Sequence, residues 1–102
     1  MGLGPVLEDN RMTVVKLTLY TKSDCELCKP FKEEVLAVLD HAKWRDQLVY
    51  SEVNILEDEI AFAKYHEKIP VLEVEGKLAF KYFIKAEELE QLLCRRFGFD
   101  RT

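Results

Sequence analysis

The sequence has little of what marks several large protein classes. Its 102 residues include only four glycines and three prolines and are 33% charged, which argues against a disordered or low-complexity chain. No apolar run approaches the roughly 20 residues of a membrane-spanning helix. No long basic run marks a nucleic-acid surface, and the formal net charge is −4. We therefore expect one globular domain that binds neither a membrane nor nucleic acid.

The first ten residues also lack the basic start and apolar core of an export signal, and the Arg-rich, acid-poor character of a transit peptide. We therefore expect a cytoplasmic protein. In that compartment, three cysteines indicate redox-active, metal-binding or ordinary thiols rather than a structural disulfide framework. We divide the chain into a flexible arm (residues 1–12), a domain (13–98) and a short tail (99–102), with Met1 or Met12 as the start.

The apolar patterns predict an alternating α/β chain. We expect strands over residues 13–20, 48–55, 71–75 and 77–83, and helices over residues 25–42, 56–66 and 86–96. In the third strand, Leu72 and Val74 alternate with Glu73 and Glu75, which is typical of one apolar and one polar face. The order β-α-β-α-β-β-α, with a tight turn at Gly76, predicts a four-stranded mixed sheet with helices on both faces.

Two cysteines three residues apart, Cys25 and Cys28, lie where the first strand meets the first helix. On a helical wheel Cys28 falls on the apolar stripe and Cys25 beyond its edge, so the spacing predicts an accessible Cys25 and a shielded Cys28. Ser23 or Asp24 is a natural N-cap for this helix. Pro30 leaves two alternatives: a kink in a helix that begins near Cys25, or a regular helix that begins only at Pro30.

Four segments in this order carry a resemblance to a known family. They are Leu19-Tyr20-Thr21-Lys22 followed by the cysteine pair, Val53-Asn54-Ile55 at the end of the second strand, Ile69-Pro70-Val71-Leu72, and the Gly76 hairpin. From residue 14 to 97 the chain resembles the thioredoxin superfamily, and most closely its small glutaredoxin-like members. The resemblance implies a thioredoxin fold and exchange between thiols and disulfides.

The resemblance also implies roles for single residues. It predicts a cis peptide bond before Pro70 and a substrate-binding backbone at Ile69 and Pro70. Lys22 matches the family's lysine that meets a glutathione carboxylate. The chain departs from the dithiol glutaredoxins in having Glu26-Leu27 between the cysteines instead of Pro-Tyr or Pro-Phe. It also lacks the Gly-Gly pair before the last helix that holds the γ-glutamyl end of glutathione.

Three functions are compatible with these residues. In the first, Cys25 is the nucleophile and Cys28 the resolving thiol of an oxidoreductase that acts on protein or glutathione disulfides and is reduced by glutathione or a reductase. In the second, the pair binds a metal or cluster, although CxxC supplies only half of a structural zinc site. In the third, the domain binds partners without redox turnover.

The remaining polar residues point to no further chemistry. Cys94 is expected to be an ordinary thiol, and His41 and His66 to be surface residues, because neither histidine has metal-ligand spacing. We expect a monomer without a bound cofactor or metal, with glutathione as a candidate co-substrate. The carboxylates of Asp24 and Glu26 should disfavour a thiolate at Cys25, because like charges repel.

Overall fold

The computed structural model describes residues 14–99, and in this part of the chain four strands and three α-helices follow one another in the predicted order. The strands are β1 (Val15–Thr21), β2 (Leu48–Asn54), β3 (Val71–Val74) and β4 (Lys77–Lys81). The α-helices are α1 (Cys28–His41), α2 (Glu59–Tyr65) and α3 (Ala86–Phe97). Short 3₁₀ turns, Arg45–Gln47 and Ile55–Glu57, flank β2.

The strands form one mixed sheet in the order β2-β1-β3-β4. β1 and β2 are parallel, as the intervening helix α1 requires, and β3 is antiparallel to both β1 and β4. The turn between β3 and β4 has positive φ at Glu75 (53°) and Gly76 (79°), as a two-residue hairpin turn demands. The predicted fold class, an α/β chain with a four-stranded mixed sheet, is therefore confirmed.

The main core lies between one face of the sheet and the helices α1 and α3. Each fully buried Leu or Phe side chain in such a core contributes about 1.5–3 kcal/mol through removal of apolar surface from water. The most deeply buried members are Val15, Leu17, Leu19, Phe31, Val35, Val38, Leu72, Val74, Leu89 and Leu93. Gly98, with φ of 74°, is the left-handed residue that ends α3.

Helix α1 begins later than expected. Residues 23–27 form turns, the helix starts at Cys28, and its N-cap position is Leu27 without a side-chain cap, so Ser23 and Asp24 do not cap it. Pro30 is the third helical residue, where a backbone N–H has no intrahelical acceptor, and its missing donor therefore breaks no helix hydrogen bond. Neither alternative is fully correct. The segment at Cys25 is irregular, as the second alternative expected, but the regular helix begins at Cys28 and not at Pro30.

Helix α2 covers the other face of the sheet, and this changes the surroundings of Glu73. Glu73 does face away from the main core, but only 5% of its surface is exposed because α2 lies over it. Its carboxylate accepts hydrogen bonds from the hydroxyls of Tyr65 and, at 3.2 Å, Tyr20, and it forms an ion pair with Lys64 Nζ at 3.2 Å. The alternation in β3 therefore does not give an exposed polar face: all four residues are buried.

The described helices are also too short or too polar to cross a membrane; none between residues 14 and 99 has the length and apolarity required. Trp44, in the segment between α1 and β2, stacks on Phe99 with ring centroids 4.7 Å apart. The predicted arm at residues 1–12, Thr13 of the first predicted strand, and residues 100–102 of the predicted tail lie outside the described residues.

The Glu73 cluster predicts an alkaline loss of stability. Burial, followed by the hydrogen bond to Glu73, raises the pKa of Tyr65 above its ordinary value near 10. The folded state then holds the phenol proton more tightly than the unfolded state. The resulting stability is full below pH 10 and is lost as the pH rises toward the folded-state pKa. At neutral pH, we expect Tyr65→Phe to lower the free energy of unfolding by about 1.5–3 kcal/mol, since a hydrogen bond to a charged group is removed.

Above pH 10 this difference between wild type and Tyr65→Phe should shrink, because only the wild type can lose the Tyr65 contribution. Urea unfolding between pH 7 and pH 11 measures both curves. Leu72→Val, which changes no titrating group, is the matched control and should keep a constant difference from wild type. A Tyr65→Phe difference that stays constant across this range would contradict the assignment.

Candidate functional site

The cysteine pair lies at the edge of the sheet where β1 ends. Thr21 is the last residue of β1, and the chain turns through residues 22–27 before α1 starts at Cys28. Cys25 and Cys28 are joined by a disulfide, and their Cα atoms are 5.3 Å apart. Asp24, directly before Cys25, has φ of 60°, a left-handed conformation that Asp tolerates better than most residues. The site is therefore built on a turn held between a buried strand and a helix.

The two sulfur-bearing side chains differ in exposure. Cys28 is 6% exposed and packs as part of the buried face of α1, whereas Cys25 is half-buried. This agrees with the asymmetry expected from helix phase, although Cys25 lies before the helix rather than in it. In a reduced pair, Cys25 would be the thiol that a disulfide in solution reaches first.

Pro70 lies at the same edge of the sheet. The Ile69–Pro70 peptide bond is cis, as the resemblance implied. β3 begins at Val71, and Val71 is paired with Tyr20 of β1, so Pro70 lies beside the end of β1 from which the cysteine turn departs. The carbonyl oxygen of Pro70 accepts a hydrogen bond from Tyr82 N at 2.8 Å. Two strands and the segment after β4 therefore hold the Pro70 backbone near the disulfide-bearing turn.

Charged residues surround Cys25 at the surface. Lys22, Asp24 and Glu26 are exposed and line one shallow depression together with Cys25. Ile69 and Pro70 do not line this depression, so it brings together Cys25 and Lys22 but not all of the predicted substrate-binding residues. The depression contains one cationic and two anionic side chains, which gives Cys25 a mixed electrostatic environment rather than a positive one.

A larger, mostly apolar groove also borders the cysteine turn, at Leu27. It has a volume of about 520 Å³ and runs between the start of α1 and the segment that joins β4 to α3. Leu27, which stands between the two cysteines, lines this groove and is 40% exposed; Phe83 on the opposite wall is 73% exposed. Tyr82 also lines it and has φ of 68°, which is uncommon for a bulky residue. The groove therefore extends from Leu27 of the cysteine turn to Tyr82, the residue whose backbone N–H donates to the Pro70 carbonyl.

One polar contact in this groove was missed by the sequence reasoning. Glu34 of α1, a half-buried groove residue, accepts a hydrogen bond at 2.8 Å through Oε1 from the backbone N–H of Ala86. Ala86 is the first residue of α3, and its N-cap position, Lys85, makes no side-chain cap. Two signals were present in the sequence: α3 has no capping residue of its own, and Glu34 lies three residues after Phe31 and four before Val38, beside the apolar stripe of α1.

Other residues considered as metal ligands are dispersed. Within residues 14–99, no three His, Cys, Asp or Glu side chains come together in a group that would hold a metal ion. His41 and His66 are exposed. The ring Nδ1 atom of each lies within hydrogen-bond distance of the backbone carbonyl oxygen four residues earlier, at 3.1 Å for His41 and 3.0 Å for His66. Cys94 is half-buried in α3.

Comparison with known proteins gives one family and one fold. The family model described as glutaredoxin-like domain (DUF836) matches residues 16–94. A structural-genomics target protein from X. campestris is 25% identical, with a TM-score of 0.60, over 78% of this chain and 96% of that one.

Two thioredoxins share the fold at lower identity. Fasciola hepatica thioredoxin is 20% identical with a TM-score of 0.56, covering 91% of this chain and 89% of that one. A malaria parasite thioredoxin-2 is 15% identical with a TM-score of 0.63, covering 81% and 84%. These likenesses support the thioredoxin fold and, at this identity, nothing finer.

The acids beside Cys25 generate a prediction about its thiolate. We predict that Glu26→Gln lowers the pKa of the reduced Cys25 thiol, because it removes a like charge from the neighbouring residue. Thiolate absorbance in the ultraviolet, followed against pH in Cys28→Ser and Cys94→Ser backgrounds, isolates the Cys25 titration. Glu33→Gln, which neutralises an exposed acid of α1 outside the depression, is the control and should cause a smaller change. An unmoved or raised pKa in Glu26→Gln would refute the prediction.

Proposed function

The chain belongs to the glutaredoxin-like domain family (DUF836), and from that premise we propose that it is a thiol-disulfide oxidoreductase acting through Cys25 and Cys28. The observation that carries the proposal is the pairing of these two residues in a disulfide, with one partner half-buried and the other enclosed. A purely structural disulfide would gain little here, because cross-links stabilise mainly by closing long loops and this one spans a separation of three residues.

The proposed cycle transfers two electrons from the dithiol to a substrate disulfide. The Cys25 thiolate attacks one sulfur of the substrate, forms a mixed disulfide and expels the other substrate sulfur as a thiolate, which takes a proton from water. Cys28 then loses its proton to solvent and attacks Cys25 Sγ. This step forms the Cys25–Cys28 disulfide and releases the second substrate thiolate. A dithiol reductase or two glutathione molecules then reduce the disulfide and are themselves oxidised.

The roles of the surrounding residues follow from this cycle. An extended substrate segment that carries the attacked disulfide would lie along the Ile69–Pro70 backbone, next to the end of β1. Lys22, exposed and in the same depression as Cys25, would offer its ammonium to a substrate carboxylate. The shielded Cys28 would be reached only after Cys25 has reacted, so the enclosed thiol is protected from side reactions with solvent oxidants.

The substrate is proposed to be a protein disulfide or a mixed disulfide of glutathione with a protein, with the domain acting as a monomer. A dithiol cycle of this kind needs a reducing compartment that returns Cys25 and Cys28 to thiols, and the cytoplasm is the proposed location. No resident metal or cofactor is needed for this exchange chemistry, since the reacting atoms are sulfur throughout.

Substitution of the two cysteines separates their roles. We expect Cys25→Ser to reduce the oxidation of the protein by a peptide disulfide to background, because the attacking thiol is absent. Cys28→Ser should still attack but should accumulate the Cys25 mixed disulfide, visible as a mass increase in intact-protein mass spectrometry after acid quenching. Cys94→Ser is the matched control, a thiol substitution on α3 outside the cysteine turn, and should complete the cycle as the wild type does.

The outcomes decide between the functions that the sequence left open. Loss of reaction in Cys94→Ser, or a mixed disulfide formed at Cys28 in Cys25→Ser, would overturn the assignment of roles. Absence of any mixed disulfide in Cys28→Ser, with an intact fold by circular dichroism, would favour a binding domain without redox turnover.

A further inference from the structure

The Glu34 carboxylate binds the backbone N–H at the start of α3, next to the groove. The start of an α-helix presents backbone N–H groups and a partial positive charge, which together form a ready site for a carboxylate or phosphate. Here the N–H of Ala86 at the start of α3 is 2.8 Å from Glu34 Oε1, and α3 is 12 residues long. The first backbone N–H of α3, which follows the groove-lining Lys85, therefore already has an acceptor within the molecule, and that acceptor, Glu34, itself lines the groove.

The first turn of α3 carries two negatively charged side chains. Glu87 and Glu88 are in the first helical turn, and Glu88 also lines the groove. The N–H groups of Glu88 and Leu89 both donate to the carbonyl of Lys85, at 2.9 and 3.1 Å, and thus have acceptors of their own. Lys85 is the groove's one cationic lining residue, against two acids. An incoming carboxylate would meet like charges and would lose the competition for the Ala86 N–H.

The other lining residues favour an apolar occupant. Leu27, Pro30, Phe31, Phe83 and Ile84 supply hydrocarbon surface, and the exposed part of Phe83 leaves much of that surface in contact with water. Since the removal of apolar surface from water is favourable in proportion to its area, a Leu or Phe side chain bound there is favoured over a polar one. Leu27 lies between the two cysteines, so the occupant would come from a residue close to the reacting disulfide.

We propose that Glu34 is a specificity-determining residue of the redox site. It keeps the groove closed to thiol substrates that bind through a free carboxylate, glutathione among them, and reserves it for an apolar side chain next to the disulfide of a polypeptide substrate. The inference rests on the proposed redox function. It assigns to that function a substrate class: uncharged or cationic polypeptide segments with a large apolar residue beside the cysteine.

Single-turnover oxidation of the reduced protein tests the preference without any external reductant. The two probes are glutathione disulfide and a peptide disulfide with blocked termini that carries leucine beside each cysteine. The measured quantity is the ratio of the second-order rate constants, peptide over glutathione. We expect Glu34→Ala to raise the glutathione rate constant by about 2- to 5-fold, the range that a freed helix N-terminus typically contributes, and so to lower the ratio.

Two further variants separate charge from structure. Glu34→Gln keeps a side-chain oxygen that accepts from Ala86 N–H while removing the negative charge, so it should preserve the fold and move the ratio less than Glu34→Ala. Glu33→Gln removes a neighbouring exposed charge that does not line the groove and should leave the ratio as in wild type. Phe83→Ala, an exposed position, should lower the peptide rate constant by about 3-fold or more through lost apolar contact.

A binding measurement covers the case in which no turnover occurs. S-methylglutathione, which has no thiol to exchange, is titrated into the oxidised protein while the backbone amide signal of Ala86 is followed by NMR. The signal should shift in Glu34→Ala and stay fixed in wild type. If the wild-type dithiol reduces neither probe, the proposed redox function is wrong. The titration still tests whether Glu34 keeps the glutathione carboxylate away from the Ala86 N–H. A shift of Ala86 in wild type, or an unchanged rate ratio in a folded Glu34→Ala, overturns the specificity proposal.

Discussion

The antiparallel pairing of β1 with β3 is the constraint on which the site depends. β1 runs toward the cysteine turn and β3 runs away from Pro70, and the partnership of Tyr20 with Val71 sets these two chain segments side by side. The register of a strand is fixed by its backbone hydrogen bonds and by the side chains that must face the core. A slip of one residue would move every side chain of β3 to the opposite face of the sheet. The position of Pro70 relative to the end of β1, from which the cysteine turn departs, is therefore fixed by the sheet.

The sheet has helices on both faces, and this explains the most polar feature of the interior. Leu72 and Val74 enter the main core against α1 and α3, while Val71 and Glu73 are covered by the single helix α2. A buried carboxylate costs several kcal/mol unless hydrogen bonds replace its water. Tyr20, Tyr65 and Lys64 supply those bonds, from β1 and α2, so that Glu73 joins two elements at the centre of the sheet.

The groove beside the cysteine turn contains a contact between two helices. The last helix begins without a capping side chain of its own, and α1 supplies one across the groove through Glu34. The same contact joins α1 to α3 and gives the first backbone N–H of α3 an acceptor. In the proposed specificity, the stability of the helix pair and the selectivity of the site both depend on this one carboxylate.

Local pattern alone determined the order of the elements, the mixed sheet and the shielding of Cys28, because these features follow from periodicity, turn residues and helix phase. The cis bond before Pro70 came from resemblance, not from the residues themselves. Tertiary structure decided what neighbouring residues cannot encode. The start of α1 moved to Cys28 because the turn after β1 takes up residues 22–27, Glu73 became buried because α2 lies over its face, and Glu34 gained its partner 52 positions away because α1 and α3 pack together. Each of these depends on which elements meet in space, and a contact between distant segments leaves no periodic trace in either of them.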